Sequence, residues 1–143
     1  MTTTSPEPQK PNESVAKIDH RALYQSYFEC CNAHDLEGMR SFYTSPLRVN
    51  DEDRSPNEVT AQFEPLIVGF PDWQWEIRNL TVEGDYLALH FSITGTHQGD
   101  FQGIKPTGRQ ITTSEFTLYH VVDGKFARVW DLLDVSSLIK QIT

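Results

Sequence analysis

The sequence predicts an α+β fold in which N-terminal helices cover the concave face of a curved antiparallel sheet. Apolar residues recur at helical spacing in the first half of the chain, and after Phe70-Pro71-Asp72 the spacing changes to strict alternation. Alternating segments separated by turns then follow one another up to a closing helix. Helices packed on one face of such a sheet leave a cleft between the two layers, which is the natural place for a ligand.

The first half of the chain contains three predicted helices. Apolar residues at helical spacing predict the first helix from about Val15 to Asn32. Asp35 can cap a short second helix from Leu36 to Tyr43. The run Ser55-Pro56-Asn57-Glu58 combines a cap, a first-turn proline and an early acid, so a third helix begins there. Pro65 is expected to kink or shorten this third helix.

The second half reads as a four-stranded antiparallel meander, preceded by a short separate strand over residues 47–50. Glu83-Gly84-Asp85 and Asp123-Gly124 are turn sequences, and the second suits a type I′ hairpin. Asp134 can cap the terminal helix. The predicted segments are a strand starting near Trp73, a strand over 87–94, a hairpin loop over 95–108, strands over 110–122 and 126–132, and a helix over 135–141.

Length and charge limit the classes of function. A chain of 143 residues suits one domain, predicted over residues 16–143 after a polar, disordered tail over residues 1–15. The net charge of -8, with scattered basic residues, disfavours nucleic acid and anionic membranes as partners. No apolar stretch is long enough to span a membrane, and the N-terminus does not resemble a secretory signal. The adjacent Cys30 and Cys31 suit a reducing, cytoplasmic setting.

Two short motifs connect the chain to a known family. Thr94-Gly95-Thr96-His97-Gln98-Gly99 is followed by Gly103-Ile104-Lys105-Pro106-Thr107-Gly108, and later by Asp123-Gly124-Lys125-Phe126 and Trp130. At this spacing, over residues 20 to 142, the chain resembles the SnoaL-like polyketide cyclases of the nuclear-transport-factor-2-like superfamily. The resemblance implies a cone-shaped fold, cofactor-free cyclase or isomerase chemistry, and an Asp near the end of the last strand as acid/base.

Asp131 is the first candidate for a catalytic group. It shares a predicted strand face with Ala127 and Val129, and a carboxyl group with apolar neighbours has a raised pKa and can transfer protons near neutrality. A solvated strand-end aspartate is the alternative. Asp134 competes for the role, but its position before Val135 is explained by helix capping.

Three further polar residues are candidates for binding substrate oxygens. Arg40 could face the cleft and hold an anionic oxygen, or it could pair with Glu37 on the helix surface. Tyr119 and Glu115 share a face of the long strand, which could line the pocket or face solvent or a second subunit. Tyr119 is assigned with Asp131 and Arg40 to catalysis, and Glu115 to substrate binding.

The remaining candidates are one histidine and four aromatic side chains. His97 could reach the mouth of the cleft, or it could bind the backbone of its own loop. Aromatic walls suit a flat substrate. No pair of histidines has the spacing of metal ligands, and the sequence predicts neither a metal nor another cofactor. The expected wall residues are Trp73, Trp75, Phe91 and Trp130.

These observations predict a cofactor-independent isomerase or cyclase acting on a polycyclic, largely apolar secondary-metabolite intermediate. The alternative is a non-catalytic small-molecule-binding or assembly domain of the same fold. A cavity without titratable side chains would favour the alternative, and an apolar cavity containing Asp131 would favour the enzyme. The outer sheet face, which includes Phe116 and Leu118, is too apolar for full exposure, so we expect a homodimer.

Overall fold

The computed structural model describes residues 9–143, with side chains from residue 20 onward. The helices are α1 (Gln9–Asn32), α2 (Leu36–Arg40), α3 (Pro56–Ala61), α4 (Glu64–Gly69) and α5 (Val135–Ile142). The strands are β1 (Tyr43–Val49), β2 (Glu52–Arg54), β3 (Gln74–Glu83), β4 (Tyr86–Thr96), β5 (Gln110–Val122) and β6 (Lys125–Leu133).

The helix starts follow the capping residues that the sequence predicts. Asp35 accepts a hydrogen bond from the backbone N–H of Gly38, and Asp134 accepts one from Ser137. Ser55 and Glu58 form a reciprocal capping box. Pro65 lies in the first turn of α4, so the expected third helix is divided into α3 and α4, because a proline is tolerated at a helix start but not inside it.

Two predicted boundaries in the N-terminal half differ from the structure. Helix α1 begins at Gln9, so residues 9–15 are helical where the sequence predicts disorder, and residues 1–8 lie outside the described residues. Helix α2 ends at Arg40, and the chain enters β1 at Tyr43 instead of continuing as a helix to that residue.

The sheet has six strands in the order β2-β1-β6-β5-β4-β3. The meander β3 to β6 agrees with the predicted one, and positive φ angles at Asp123 and Gly124 fit the expected type I′ turn. One pairing of the sheet departs from the predicted antiparallel arrangement, because β1 pairs parallel with β6. Strand β2, which pairs with β1, was not predicted.

A β-bulge at Ala127 sets which face of β6 points inward. Val121 pairs with Phe126 and His120 pairs with Arg128, so Ala127 is the extra residue. Without it, Phe126 and Val129 would lie on opposite faces, yet both are buried in the core. Ala127 therefore does not continue the inward face of Asp131 and Val129, as the simple alternation predicts.

Helix α1 packs its apolar side over the concave face of the sheet. Tyr24, Tyr27 and Cys31 from α1 are buried there, as are alternate residues of β4 and β5. The helices do not fill all the space over the concave face and leave a cavity lined by α1, β1, α3, β3, β4, β5 and β6. This space contains the candidate site.

Candidate active site

Inward-facing aromatic and acidic side chains surround a cavity between the helices and the sheet. The space inside it that the centre of a water molecule can reach is about 50 Å³, and about 570 Å³ is free when the open solvent at the mouth is included. A second, outer pocket shares with it the side chains of Gln62, Phe63, Trp75, Glu115 and Asp131. The remaining lining residues are Tyr24, Tyr27, Phe28, Cys31, Tyr43, Leu47, Val49, Val59, Phe91, Thr117, Tyr119 and Val129.

Aromatic rings form much of the cavity wall. Phe28 of α1 and Phe91 of β4 stack with ring planes 11° apart and centroids 6.2 Å apart. Phe63 meets Trp75 edge to face at 5.9 Å. Flat, apolar walls of this kind suit a ring system, and their π faces can stabilise developing positive charge.

Two carboxyl groups, Glu115 on β5 and Asp131 on β6, lie together in this wall. Both line the cavity, and they come from paired strands, where Glu115 is opposite Leu133 and Asp131 is opposite Thr117. The indole Nε1–H of Trp75 donates a hydrogen bond to Glu115 Oε1 at 2.8 Å. Glu115 is 6% exposed, whereas Asp131 is half-buried.

Burial raises the pKa of Glu115 well above its usual range. A hydrogen bond with Asp131 and the charge of Asp131 raise it further, and the bond from Trp75 acts in the opposite direction. Two adjacent carboxyl groups cannot both ionise at low cost, so the neighbouring Asp131 favours the protonated form of Glu115.

The stability of a Glu115→Gln variant should depend on pH differently from that of the wild type. A carboxyl group with a raised pKa binds more protons in the folded chain, so its ionisation lowers the free energy of unfolding as pH rises above the unfolded value near 4.5. Glutamine does not titrate. We expect the variant to gain stability relative to the wild type as pH rises above about 5 in urea unfolding curves.

The exposed Glu83, at the end of β3, provides a matched control as Glu83→Gln. Its stability difference from the wild type should not grow over the same pH interval. A pH-independent difference for Glu115→Gln would show that the Glu115 carboxyl is not held protonated by the fold.

Tyr119 lies on the cavity wall, on the same inward face of β5 as Glu115 and Thr117. Burial raises its pKa well above the usual range, so the phenol stays protonated and can act as a hydrogen-bond donor. The structure therefore brings three sequence candidates, Asp131, Tyr119 and Glu115, into one cavity with Trp75 and Phe91.

Arg40 is not among the residues lining the cavity. Its Nη1 donates a hydrogen bond to Thr60 Oγ1 at 3.0 Å, which ties α2 to α3. This arrangement differs from both alternatives that the sequence offers for Arg40, because the guanidinium neither lines the cavity nor pairs with Glu37. The charge of Arg40 does act on the neighbouring Tyr43, where it favours the ionised form of the phenol.

His97 is fully buried and holds the long hairpin loop together. Its Nδ1 lies 3.0 Å from Thr107 Oγ1, and the His97 backbone pairs with Gly108 and Arg109. Gly99 lies against α4, where a Cβ would be 2.1 Å from the backbone oxygen of Val68. The motif residues thus build the loop, and of the two alternatives for His97 the structure shows the second, in which its ring accepts a hydrogen bond from the backbone N–H of Thr107 and does not line the cavity.

The other two tryptophan candidates lie outside the main cavity. Trp73 lines only the outer pocket. Trp130 lies on the opposite, convex face, where its Nε1–H donates to Asp51 Oδ1 at 3.1 Å and Arg128 stacks on its ring. The predicted place of Trp130 in the substrate wall is wrong for a simple reason, since residues adjacent along a strand face opposite sides and its neighbour Asp131 faces inward.

Sequence reasoning missed several lining residues on the helices and on β1. Tyr24 and Tyr27 recur at helical spacing and were recognised only as an apolar stripe. Tyr43 was placed at the end of a helix, although it begins β1. Gln62 and Phe63 lie at the junction of α3 and α4. The sequence predicts there only a helix that is kinked or shortened at Pro65.

Neither a metal site nor a membrane-spanning helix is found in the described part of the chain. Among the described side chains, those of residues 20–143, no three of His, Cys, Asp or Glu are grouped so that they could hold a metal ion. The helices of residues 9–143 include none with the length and apolar character needed to cross a bilayer.

A curved six-stranded sheet with helices over its concave face is the architecture of the nuclear-transport-factor-2-like fold. Residues 21–142 match the family described as SnoaL-like polyketide cyclase. The chain belongs to this family. A comparison with curated protein sequences gives no match.

Solved structures agree on the fold. AclR from Streptomyces galilaeus, provisionally assigned as a hydroxylase, has 27% identity and a TM-score of 0.79, covering 88% of this chain and 96% of its own. A SnoaL-like polyketide cyclase from Jannaschia sp. CCS1, itself a provisional assignment, has 21% identity and a TM-score of 0.78, covering 98% and 97%. IdmH from Streptomyces antibioticus, provisionally a polyketide cyclase, has 21% identity and a TM-score of 0.76, covering 85% and 96%.

Proposed function

We propose that this protein is a cofactor-independent isomerase or cyclase that acts by proton transfer on a polycyclic secondary-metabolite intermediate. The observation that carries the proposal is the Glu115–Asp131 pair in an aromatic cavity. A pair that shares one proton supplies an acid and a base at the same pH. Membership of a family described as polyketide cyclases supports this class of reaction.

The proposed reaction starts with proton abstraction next to a carbonyl group. The Asp131 carboxylate takes the proton, the C–H electron pair forms a C=C bond, and the C=O π pair moves to the oxygen. The enolate carbon then attacks a second carbonyl carbon to close a ring, or the proton returns at another position. In ring closure the new alkoxide takes the proton from Asp131, so atoms and charge balance without a co-reactant.

The alternative, a non-catalytic binding domain, is weakened by the contents of the cavity. A simple apolar binding pocket has no reason to bury a carboxyl group, because its burial costs free energy that only hydrogen bonds or a paired charge can offset. Here the cavity wall contains Glu115, Asp131 and Tyr119 together. The arrangement favours proton transfer over binding alone.

Hydrogen–deuterium exchange on a simple cyclic ketone tests the proposed chemistry without the natural substrate. We expect the protein to accelerate deuterium incorporation next to the carbonyl of 2-tetralone in D₂O, followed by proton NMR. The exchange should saturate with ketone concentration, as expected for reaction in a binding site. Exchange no faster than with an equal concentration of free acetate would contradict the proposal.

We also propose that the protein forms a homodimer through the convex face of the sheet. An outer-face patch of Phe116, Leu118 and Leu132 is 54%, 37% and 72% exposed, with Trp130 beside it. Apolar area of this kind on a sheet face is typical of an interface. We expect a dimer by light scattering at micromolar concentration and a folded monomer for Leu132→Asp. A wild-type monomer at that concentration would contradict the prediction.

A further inference from the structure

Four tyrosines contribute to the wall of the same cavity. Tyr24 and Tyr27 come from α1, Tyr43 from β1 and Tyr119 from β5, and all four are buried. Burial raises the pKa of each phenol, so all four remain protonated donors. The proton-transfer scheme above requires only a carboxyl pair, so these hydroxyl groups need a separate explanation.

Tyr27 and Tyr43 form a close hydroxyl pair, with their oxygens 2.6 Å apart. The two phenols carry two protons, and one proton is used in the bond between them. The other O–H remains able to donate to a guest in the cavity. Donation within the pair also polarises the free O–H, because hydrogen bonds in a chain strengthen one another.

The surroundings of Tyr43 make it the better donor of the pair toward a negatively charged oxygen. Burial raises the pKa of Tyr43 and the nearby Cys31 adds to this rise, while the hydrogen bond with Tyr27 and, to a smaller extent, the charge of Arg40 act in the opposite direction. For Tyr27, in contrast, the causes that accompany burial all raise the pKa. Arg40 thus influences the cavity through Tyr43, although the guanidinium itself is bound to Thr60.

The cavity also lacks a cation among its described lining residues. No Lys, Arg or His contributes to the wall, whereas two carboxyl side chains, Glu115 and Asp131, do. A ligand carboxylate or phosphate would therefore enter a site with no counter-ion, at a high cost of desolvation. An uncharged oxygen that gains negative charge only during the reaction would instead find phenol donors already in place.

We propose that the Tyr27–Tyr43 pair is an oxygen-binding subsite that holds the carbonyl oxygen of an uncharged substrate. This inference rests on the proposed function and adds to it the residues that receive the developing enolate. The phenol donates a hydrogen bond to the oxygen and keeps its proton, while Asp131 takes the proton from carbon. The subsite selects neutral ketones or esters and rejects the corresponding carboxylic acids in their ionised form.

Binding of three naphthalenes by calorimetry tests the subsite: 2-naphthol, 2-naphthoate and naphthalene itself. We expect 2-naphthol to bind at least tenfold more tightly than 2-naphthoate. In the double variant Tyr27→Phe/Tyr43→Phe, the ratio of naphthol to naphthalene affinity should fall by roughly tenfold, the value of about one hydrogen bond. Either single variant leaves one phenol and should have a smaller effect.

The naphthol-to-naphthalene ratio separates a lost subsite from a damaged cavity, because damage weakens both ligands. Tyr86→Phe, on the convex face, is the matched control and should leave the ratio unchanged. An unchanged ratio in the double variant, or equal binding of naphthol and naphthoate, would overturn the inference. Failure of ketone exchange with intact naphthol selectivity would instead reject the proposed reaction and leave the subsite standing.

Discussion

Replacing Asp131 with asparagine is expected to reduce the rate of ketone exchange by about 10²–10⁴-fold, the usual contribution of a general acid–base group. Asparagine preserves the shape of the side chain but cannot accept the proton from carbon. The backbone N–H of Asp131 donates a hydrogen bond to Asn50 Oδ1 at 3.0 Å, and this contact does not depend on the side chain. The fold should therefore persist, which circular dichroism and urea unfolding can check alongside the rate.

Asp134 provides the matched control for this substitution. It lies three residues further along, and its Oδ1 accepts a hydrogen bond from the backbone N–H of Ser137 at 3.0 Å. Asparagine is as good an N-cap as aspartate, so Asp134→Asn should change both rate and stability little. An Asp131→Asn protein that retains wild-type exchange would move the role of base to Glu115.

Replacing Phe126 with alanine is expected to reduce the free energy of unfolding by about 3–5 kcal/mol. The ring is fully buried, and its centroid lies 4.7 Å from that of Tyr119 and 5.0 Å from that of Tyr27. Removing it deletes buried apolar area and leaves a cavity behind the two tyrosines. Urea unfolding at neutral pH measures the loss.

Val68 on α4 is a control for truncation of an exposed apolar residue, since it is 62% exposed. Val68→Ala should change stability by no more than about 0.5 kcal/mol. A loss below about 1 kcal/mol for Phe126→Ala would show that the wall of tyrosines collapses into the vacated space. That result would also mean that the cavity is much more deformable than its packing suggests.

The residues that identify the family are distinct from those that form the candidate site. His97 and Thr107 hold the β4–β5 loop together through a partly buried hydrogen bond, and Gly99 allows the loop to approach the backbone of α4 closely. None of the three lines the cavity. The motif therefore identifies the fold, whereas the proposed chemistry depends on the carboxyl pair and the phenols. The motif residues and the cavity residues can vary independently.

Part of the candidate site was predictable because it lies on regular strands. Alternation along β5 places Glu115, Thr117 and Tyr119 on one face without knowledge of the tertiary structure. The sequence alone could not show that Glu115 and Asp131 meet, because that depends on the register between β5 and β6. For the same reason Glu115 was assigned to substrate binding when its contacts favour a share in proton transfer.

The local sequence determined the capped helices, the hairpin turns and the meander, since each depends on interactions between residues close in the chain. Tertiary structure decided the rest. The parallel pairing of β1 with β6 joins segments about eighty residues apart, and the bulge at Ala127 sets the phase that turns Asp131 inward. The Tyr27–Tyr43 pair exists only because the packing of helix α1 on the sheet brings the Tyr27 hydroxyl to that of Tyr43 at the start of β1. Local periodicity contains no information on such contacts, because they depend on how whole elements pack.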